Sequence, residues 1–244
     1  MPEMLRIGPI NLQTGLLALL LGYVLGAGLI HLHLRRLAGS NKMISDVWLT
    51  CGMIILLFWK FGVILTSPSI LFKDPMKILF LTGGTLEVLL GICAAGFYAY
   101  GQLRKHRIPI YTALDVAAIG MITVVLVYVS MIPSFGQQTD LPWGIGVEGT
   151  QTQFHPVNAY MAIALVPLWI RLITSRRDAG SGKVFKEILI YVGFAGLLIS
   201  LLDRVDPIWL YVSYSQLCFL VMIAAGMLLP SLSPSQQGLN DQLE

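Results

Sequence analysis

Charged residues are scarce in this chain: only 12% of its 244 residues are Asp, Glu, Lys or Arg. Soluble globular domains typically carry about 25%, so the composition excludes an ordinary soluble domain. Cysteine is also sparse, and Cys51, Cys93 and Cys218 stand in separate apolar stretches without paired spacing. Because a metal site needs clustered ligands, we expect buried neutral thiols there and predict neither a metal nor a cofactor.

Motifs typical of soluble catalysts are missing as well. The sequence contains no GxSxG nucleophile elbow, no HExxH zinc motif and no P-loop. The last apolar stretch has no lysine, which excludes a retinal Schiff base of the usual kind. No inverted repeat is evident, and this weakens a transporter function.

The chain does contain seven apolar stretches separated by short polar joints. A helix needs about 20 apolar residues to cross a hydrocarbon core of about 30 Å, and it pairs its own backbone polar groups. The sequence therefore predicts an all-α integral membrane protein, with one polytopic domain over 1–230 and a disordered polar tail over 231–244. The seven predicted transmembrane helices are 12–34, 47–66, 78–100, 112–133, 157–174, 187–202 and 208–229.

Lysine and arginine are distributed unevenly over the joints. If the N-terminus lies outside the cytoplasm, the inner joints carry eleven of these cations and the outer joints carry four. Because an excess of Lys and Arg marks the cytoplasmic side, we predict an outer N-terminus and a cytoplasmic C-terminus. Basic cytoplasmic joints suit anionic lipid headgroups and give no indication of nucleic-acid binding.

Glycines and polar residues near the apolar stretches are the candidates for function. Gly83 and Gly84 together cost roughly 2 kcal/mol inside a helix relative to alanines, so we expect a break there that could frame a cavity. Glu87 is either a headgroup-binding or proton-handling carboxylate or a structural hydrogen-bonding group between helices. Asp115 is expected to cap the start of a helix. His155 is either a base at near-neutral pH or a structural residue.

Two further features predict packing. Gly22 and Gly26 form a GxxxG step, which favours close approach of two helices. Trp143 lies in the longest outer loop, 134–156, and suits an anchor at the lipid–water interface. The loop itself is either functional or a plain cap over the bundle.

Several short landmarks occur in a set order along the chain. They are Ile7-Gly8-Pro9, Asp74-Pro75 before Gly83-Gly84, Leu114-Asp115-Val116-Ala117, Leu141-Pro142-Trp143-Gly144, His155-Pro156 with Tyr160, and Ser215-Gln216-Leu217. On a seven-span bundle, this order resembles the prolipoprotein diacylglyceryl transferase family over roughly residues 5–229. The resemblance implies a multi-pass protein of the bacterial cytoplasmic (inner) membrane.

That family transfers the diacylglyceryl group of phosphatidylglycerol to the thiol of a lipobox cysteine in a secreted precursor. The resemblance therefore implies phosphatidylglycerol and lipobox precursor peptides as partners. The reaction needs a base that generates the thiolate and donors for the phosphoglycerol leaving group. The candidate catalytic residues are His155, Glu87 and Tyr160, and the candidate residues for binding the lipid headgroup are Gly83, Gly84 and Arg204.

The sequence departs from the family at residues that carry this chemistry. Val88 stands where the family has a histidine, Met161 replaces a glutamate after Tyr160, and segments 120–125 and 196–202 lack the family's arginines. Losing one such donor typically costs on the order of 3 kcal/mol of transition-state stabilisation. Three hypotheses therefore stand: a divergent transferase with a rearranged site, a non-catalytic paralogue (a pseudoenzyme) that binds lipid or a membrane partner, and an unrelated small transporter or sensor.

Overall fold

Helices make up most of the chain in the computed structural model, which describes residues 4–7, 10–36, 43–68, 83–146, 152–174, 180–204 and 213–230. The described helices are α1 (Thr14–Arg36), α2 (Met43–Phe61), α3 (Val63–Thr66), α4 (Thr85–Lys105), α5 (Ile110–Met131), α6 (Val157–Thr174), α7 (Lys183–Ser200) and α8 (Tyr214–Leu228). The described strands are β1 (Met4–Ile7), β2 (Ile10–Gln13), β3 (Phe135–Thr139), β4 (Ile145–Gly146) and β5 (Gln153–Pro156).

Five of the described helices, α1, α2, α4, α5 and α6, are long and apolar enough to cross a bilayer. The chain is thus mostly helical, in agreement with the predicted all-α membrane protein. Helix α7 has 18 residues but carries Lys183, Lys186 and Glu187 in its first turns, and α8 has 15 residues. The predicted tail, 231–244, and the landmark Asp74-Pro75 lie outside the described residues.

Glycines mark several helix boundaries. Gly62 separates α2 from α3, where the sequence predicted one uninterrupted span to residue 66. Gly83 and Gly84 directly precede α4, so the expected break at this pair is present. Helix α7 begins four residues before the predicted residue 187, because Gly182 adopts a positive φ of 72° that ends the preceding loop.

Helices α1 and α5 form the most extensive helix pair of the described bundle. A Cβ on Gly26 would lie 2.9 Å from the Gly120 carbonyl oxygen, and a Cβ on Gly22 would lie 2.9 Å from the Val124 Cα. The two backbones therefore approach each other at positions where only glycine leaves room. The close approach predicted from the GxxxG step is confirmed.

The remaining helices are arranged around this pair. Helix α2 packs on α4, α7 packs on α8, and α6 contacts both α5 and α7. A buried apolar cluster that joins α5, α6 and α7 consists of Ala118, Ile122, Leu165, Leu168, Leu172 and Ile188. Large apolar side chains such as Phe97, which is 83% exposed, point away from the bundle, as expected where lipid is the solvent.

Candidate functional site

The loop between α5 and α6 folds into a three-stranded antiparallel sheet, with β5 between β3 and β4. Phe154 of β5 lies opposite Gln138 of β3 on one side and Ile145 of β4 on the other. The sequence did not predict these strands, because two to five residues are too few for a hydrophobic alternation to be recognised. The described parts of this loop, 134–146 and 152–156, therefore include a sheet next to the start of α6.

Strand β3 also connects this sheet to the end of α7. The Gln137 backbone N–H donates to the Leu202 carbonyl at 2.8 Å. The Gln137 side-chain amide donates to the carbonyls of Leu201 (3.2 Å) and Asp203 (3.4 Å). Gly136 permits this contact, since a Cβ there would collide with the Leu202 carbonyl. The segment that follows α7 is thus held against the sheet.

A histidine, a tyrosine and a tryptophan converge where α6 begins. His155 Nδ1 lies 3.1 Å from Tyr160 Oη, and their ring centroids are 5.9 Å apart. The Trp143 indole N–H donates to the same Tyr160 oxygen at 3.0 Å. The structure therefore brings together two of the residues proposed as catalytic, His155 and Tyr160. We call His155, Tyr160 and Trp143 the outer cluster.

The hydrogen bonds of the outer cluster define what its imidazole can do. The Tyr160 hydroxyl has one hydrogen and two lone pairs, and the indole of Trp143 is a donor only. Tyr160 can therefore donate to His155 Nδ1, which puts the proton of the neutral ring on Nε2, or accept from Nδ1, which leaves Nε2 as a base. In both tautomers the ring is oriented at Nδ1, and in the second one Nε2 can accept a proton.

The contribution of Trp143 to this cluster was not predicted from the sequence. The sequence predicts an interfacial anchor at Trp143, and in the structure its indole N–H also donates to Tyr160, 17 residues further along the chain. The turn that places it packs on β5: a Cβ on Gly144 would lie 2.7 Å from the Gln153 Cβ. The sequence Pro-Trp-Gly indicates a tight turn, but it does not indicate which residue accepts the hydrogen bond of the indole.

Tyr160 also lies at one end of a groove between α6 and α7. The groove has a volume of about 970 Å³. Its lining is mostly apolar and consists of Tyr160, Ile163, Ala164, Lys183, Lys186, Glu187, Ile190, Tyr191, Phe194, Ala195, Leu198 and Ile199. Ile163 and Phe194 are more than half exposed, so the groove is open on its lipid-facing side. Of the outer cluster, Tyr160 lines the groove.

Arg204 lies on the same sheet but on its other face. The Arg204 guanidinium carbon is 4.2 Å from the centroid of the Phe154 ring, which is cation–π geometry. Successive side chains of a strand point to opposite faces, so Arg204 and His155 flank β5 from opposite sides. Arg204 therefore adds a positive charge near the outer cluster without touching His155.

Gly83, Gly84 and Glu87 lie in a separate joint between α2, α3 and α4. Glu87 Oε1 accepts a hydrogen bond from the Thr66 hydroxyl at 2.6 Å, and Oε2 accepts one from the Gly84 N–H at 2.7 Å. The Gly83 N–H donates to the Trp59 carbonyl at 2.6 Å. Glu87 is buried and lies in the first turn of α4. This geometry matches the structural alternative, a hydrogen bond between helices.

Asp115 forms a second structural joint. It is fully buried, and its carboxylate accepts hydrogen bonds from the N–H groups of Gly180, Gly182 and Phe185, each at 2.9 Å. These donors belong to the start of α7 and to the loop before it. The expected helix cap is therefore present, although Asp115 of α5 caps another helix than its own.

The candidate residues are thus divided among three places. His155 and Tyr160 share the outer cluster, Arg204 lies across β5, and Glu87, Gly83 and Gly84 belong to the joint at the start of α4. Among the described residues, no group of three His, Cys, Asp or Glu side chains could hold a metal ion. Through Tyr160, the outer cluster adjoins one end of the open groove.

Comparison with known proteins identifies relatives at low identity. No family model matches the chain. The chain is 26% identical to a phosphatidylglycerol–prolipoprotein diacylglyceryl transferase of Wolbachia sp. subsp. Drosophila simulans, over 93% of this chain and 92% of the relative. It is 26% identical to a transferase of the same name from Geobacter sulfurreducens, over 75% of this chain and 76% of the relative. The family resemblance found in the sequence is thereby confirmed.

Proposed function

We propose that this chain, as a relative of the prolipoprotein diacylglyceryl transferases, transfers a diacylglyceryl group from phosphatidylglycerol to the thiol of a lipobox cysteine. The outer cluster is the proposed site, and the observation that carries the proposal is its position at the end of a lipid-facing groove. The reaction joins a lipid to a peptide thiol. It therefore needs a place where an acyl chain and a proton acceptor meet at the membrane surface.

The proposed reaction uses the two nitrogens of His155 in different ways. Nδ1 is oriented by Tyr160, and Nε2 takes the proton of the cysteine thiol, because the thiolate is the nucleophile. The thiolate sulfur then attacks the glyceryl carbon that carries the phosphoester oxygen. A C–S bond forms, the C–O bond breaks, and phosphoglycerol leaves with the electron pair.

The remaining candidate residues have supporting roles in this proposal. Arg204, held on Phe154, raises the positive potential where the anionic headgroup approaches. Glu87, Gly83 and Gly84 hold the start of α4 against α2 and α3, so their contribution to headgroup binding is indirect. The site thus relies on fewer direct donors than the family's chemistry implies.

The proposal includes a membrane arrangement. In this proposal the chain has seven spans in the bacterial cytoplasmic membrane. Five are the helices that are long and apolar enough to cross a bilayer, and α7 and α8 are the sixth and seventh. The N-terminus lies outside and the C-terminus inside, and the outer cluster therefore faces the side where secreted precursors arrive. Reporter fusions at each end test this: both ends on one side of the membrane would contradict the arrangement.

A second function, lipid or lipobox binding without transfer, is favoured by one specific observation. The carboxylate of Glu87 has both oxygens engaged by Thr66 and Gly84, which removes one of the few candidate acids and bases from the reaction. In this alternative, the outer cluster binds the headgroup or the peptide, and the chain assists another membrane protein.

Complementation separates the two functions. The chain is expressed in a bacterium depleted of its own transferase, and the electrophoretic mobility of a model lipoprotein is followed. Restored lipidation supports transfer, and lipidation that is then lost with His155→Ala assigns it to the outer cluster. His106→Ala is the matched control, because His106 lies in the turn after α4. No lipidation by a chain that accumulates normally in the membrane would contradict transfer and leave the binding function.

A further inference from the structure

We propose that the end of the α6–α7 groove opposite Tyr160 binds the phosphate of an anionic phospholipid whose acyl chain lies along the groove. This second lipid site is independent of the transfer reaction and of the outer cluster. Lys183 and Lys186 line the groove at this end, at the start of α7.

The charges at this end favour an anion. Lys183 and Lys186 face the groove together with Glu187. The Glu187 carboxylate is engaged by Arg171, with Nη2 3.0 Å from Oε2, so its negative charge is balanced within that pair. The two lysines remain as positive charges at the mouth of the groove. Lysine binds phosphate as a compact point charge.

Lys186 is held in place by the last turn of α8. Its Nζ donates to the Leu229 carbonyl at 3.3 Å, which uses one of the three N–H donors of the ammonium group. Within the part of the chain that the structure describes, the other two donors are open to a ligand. Lys183 is exposed and is the first residue of α7, directly after Gly182, the N-cap residue with positive φ. One lysine is therefore positioned by the fold, while the other lies at the surface where a headgroup arrives.

The rest of the groove suits an acyl chain. From Lys183 to Ile199, the groove follows α7 for about 24 Å at 1.5 Å per residue, close to the thickness of a hydrocarbon core. The walls are largely apolar, and Tyr191 crosses between the helices by donating to the Ala164 carbonyl at 2.8 Å. The half of the groove between Lys183 and Tyr191 is close to one leaflet in length. A soluble anion would leave these walls in contact with water or lipid.

The occupant that fits both ends of this half-groove is an amphiphile with an anionic head. An extended peptide in an apolar groove would leave its own backbone groups unpaired. Under the predicted topology, this end faces the cytoplasmic leaflet, which carries the negative surface potential of a membrane. The outer cluster and the lysine end thus receive lipids from opposite leaflets, tail to tail, as in the bilayer itself.

The test measures lipid retention rather than transfer. The protein is reconstituted in vesicles with equal amounts of phosphatidylserine and phosphatidylcholine of the same chain length, extracted, and analysed by native mass spectrometry. Phosphatidylserine separates this site from the proposed reaction, which consumes phosphatidylglycerol. We expect selective retention of phosphatidylserine, reduced roughly fivefold for each of Lys183→Gln and Lys186→Gln, and kept by Lys183→Arg.

Matched variants locate the site within the molecule. Ala195→Phe fills the groove and should reduce retention, whereas Ala224→Phe, at an exposed alanine of α8, should not. Arg104→Gln with Lys105→Gln, at the exposed end of α4, should also leave retention unchanged. Equal retention of both lipids, or equal losses in the α4 control, would overturn the proposal. A dimer abolished by Ala195→Phe would instead assign the groove to a second copy.

Discussion

The joint at Asp115 and the outer cluster at His155 both place polar groups in an apolar bundle, but they use their hydrogen-bonding capacity differently. Asp115 is fully buried, and its two oxygens accept three backbone N–H groups. His155 is half-buried, and the described residues engage its Nδ1 but not its Nε2. A buried polar group whose oxygens all accept hydrogen bonds holds helices together. One with a free nitrogen beside an open groove can act on a ligand.

The largest expected effect belongs to Asp115. Asp115→Ala leaves three N–H groups at the start of α7 without their acceptor, and each unsatisfied buried group costs about 1–3 kcal/mol. We expect the free energy of unfolding to fall by at least about 3 kcal/mol, measured by thermal or denaturant unfolding of the detergent-purified protein. Asp140→Ala, at an exposed aspartate after β3, is the control. Equal stability of the two variants would contradict the structural role.

His155→Ala should have the opposite signature. Removing a general base typically lowers a rate by about 100-fold or more, while a half-buried imidazole with one described partner contributes little to stability. We expect lipidation of the model lipoprotein to be lost while the melting temperature stays close to that of the parent chain. A variant that unfolds in parallel with its loss of lipidation would place His155 with Asp115 among the structural residues.

Glu87→Gln tests the residue that lies between these extremes. The new amide keeps one oxygen, which can still accept from the Gly84 N–H, while its NH2 faces the Thr66 hydroxyl, which must turn to accept. Because both bonds lose the charge of the carboxylate, we expect a loss of about 1 kcal/mol in the free energy of unfolding. Lipidation should fall only as far as the amount of folded protein falls. Thr66→Val removes the other partner, and a double-mutant cycle should give a coupling free energy of about 1 kcal/mol. A large loss of lipidation in well-folded protein would restore Glu87 to the catalytic set.

The smallest expected effect is that of Trp143→Phe. This change removes one hydrogen bond to Tyr160, worth about 1 kcal/mol, and loosens the orientation of His155. We expect lipidation to slow by about fivefold, with a loss of at most about 1 kcal/mol in the free energy of unfolding. Trp169→Phe is the matched control, because its N–H bonds to Thr123 within the bundle, at 3.0 Å. That variant should lose stability and leave the rate per folded molecule unchanged.

Local features of the site were predictable from the sequence, and distant ones were not. His155 and Tyr160 are five residues apart, at a strand-to-helix junction, so their proximity follows from the short separation. The break at Gly83 and Gly84 was also predicted, from the cost of glycine in a helix. The contact of Arg204 with Phe154 could not be predicted, because it depends on a sheet whose strands are too short to recognise.

By itself, the sequence determined that this protein consists of helices in a lipid environment, because charge is scarce and the apolar stretches are long. The paired small residues also predict where two of these helices approach each other. Only the tertiary structure decided which polar groups are engaged. Asp115 finds its partners 65 to 70 residues away, at the start of α7. Hydropathy is a property of neighbouring residues in the chain. Hydrogen bonding depends on segments that meet only after the helices have packed.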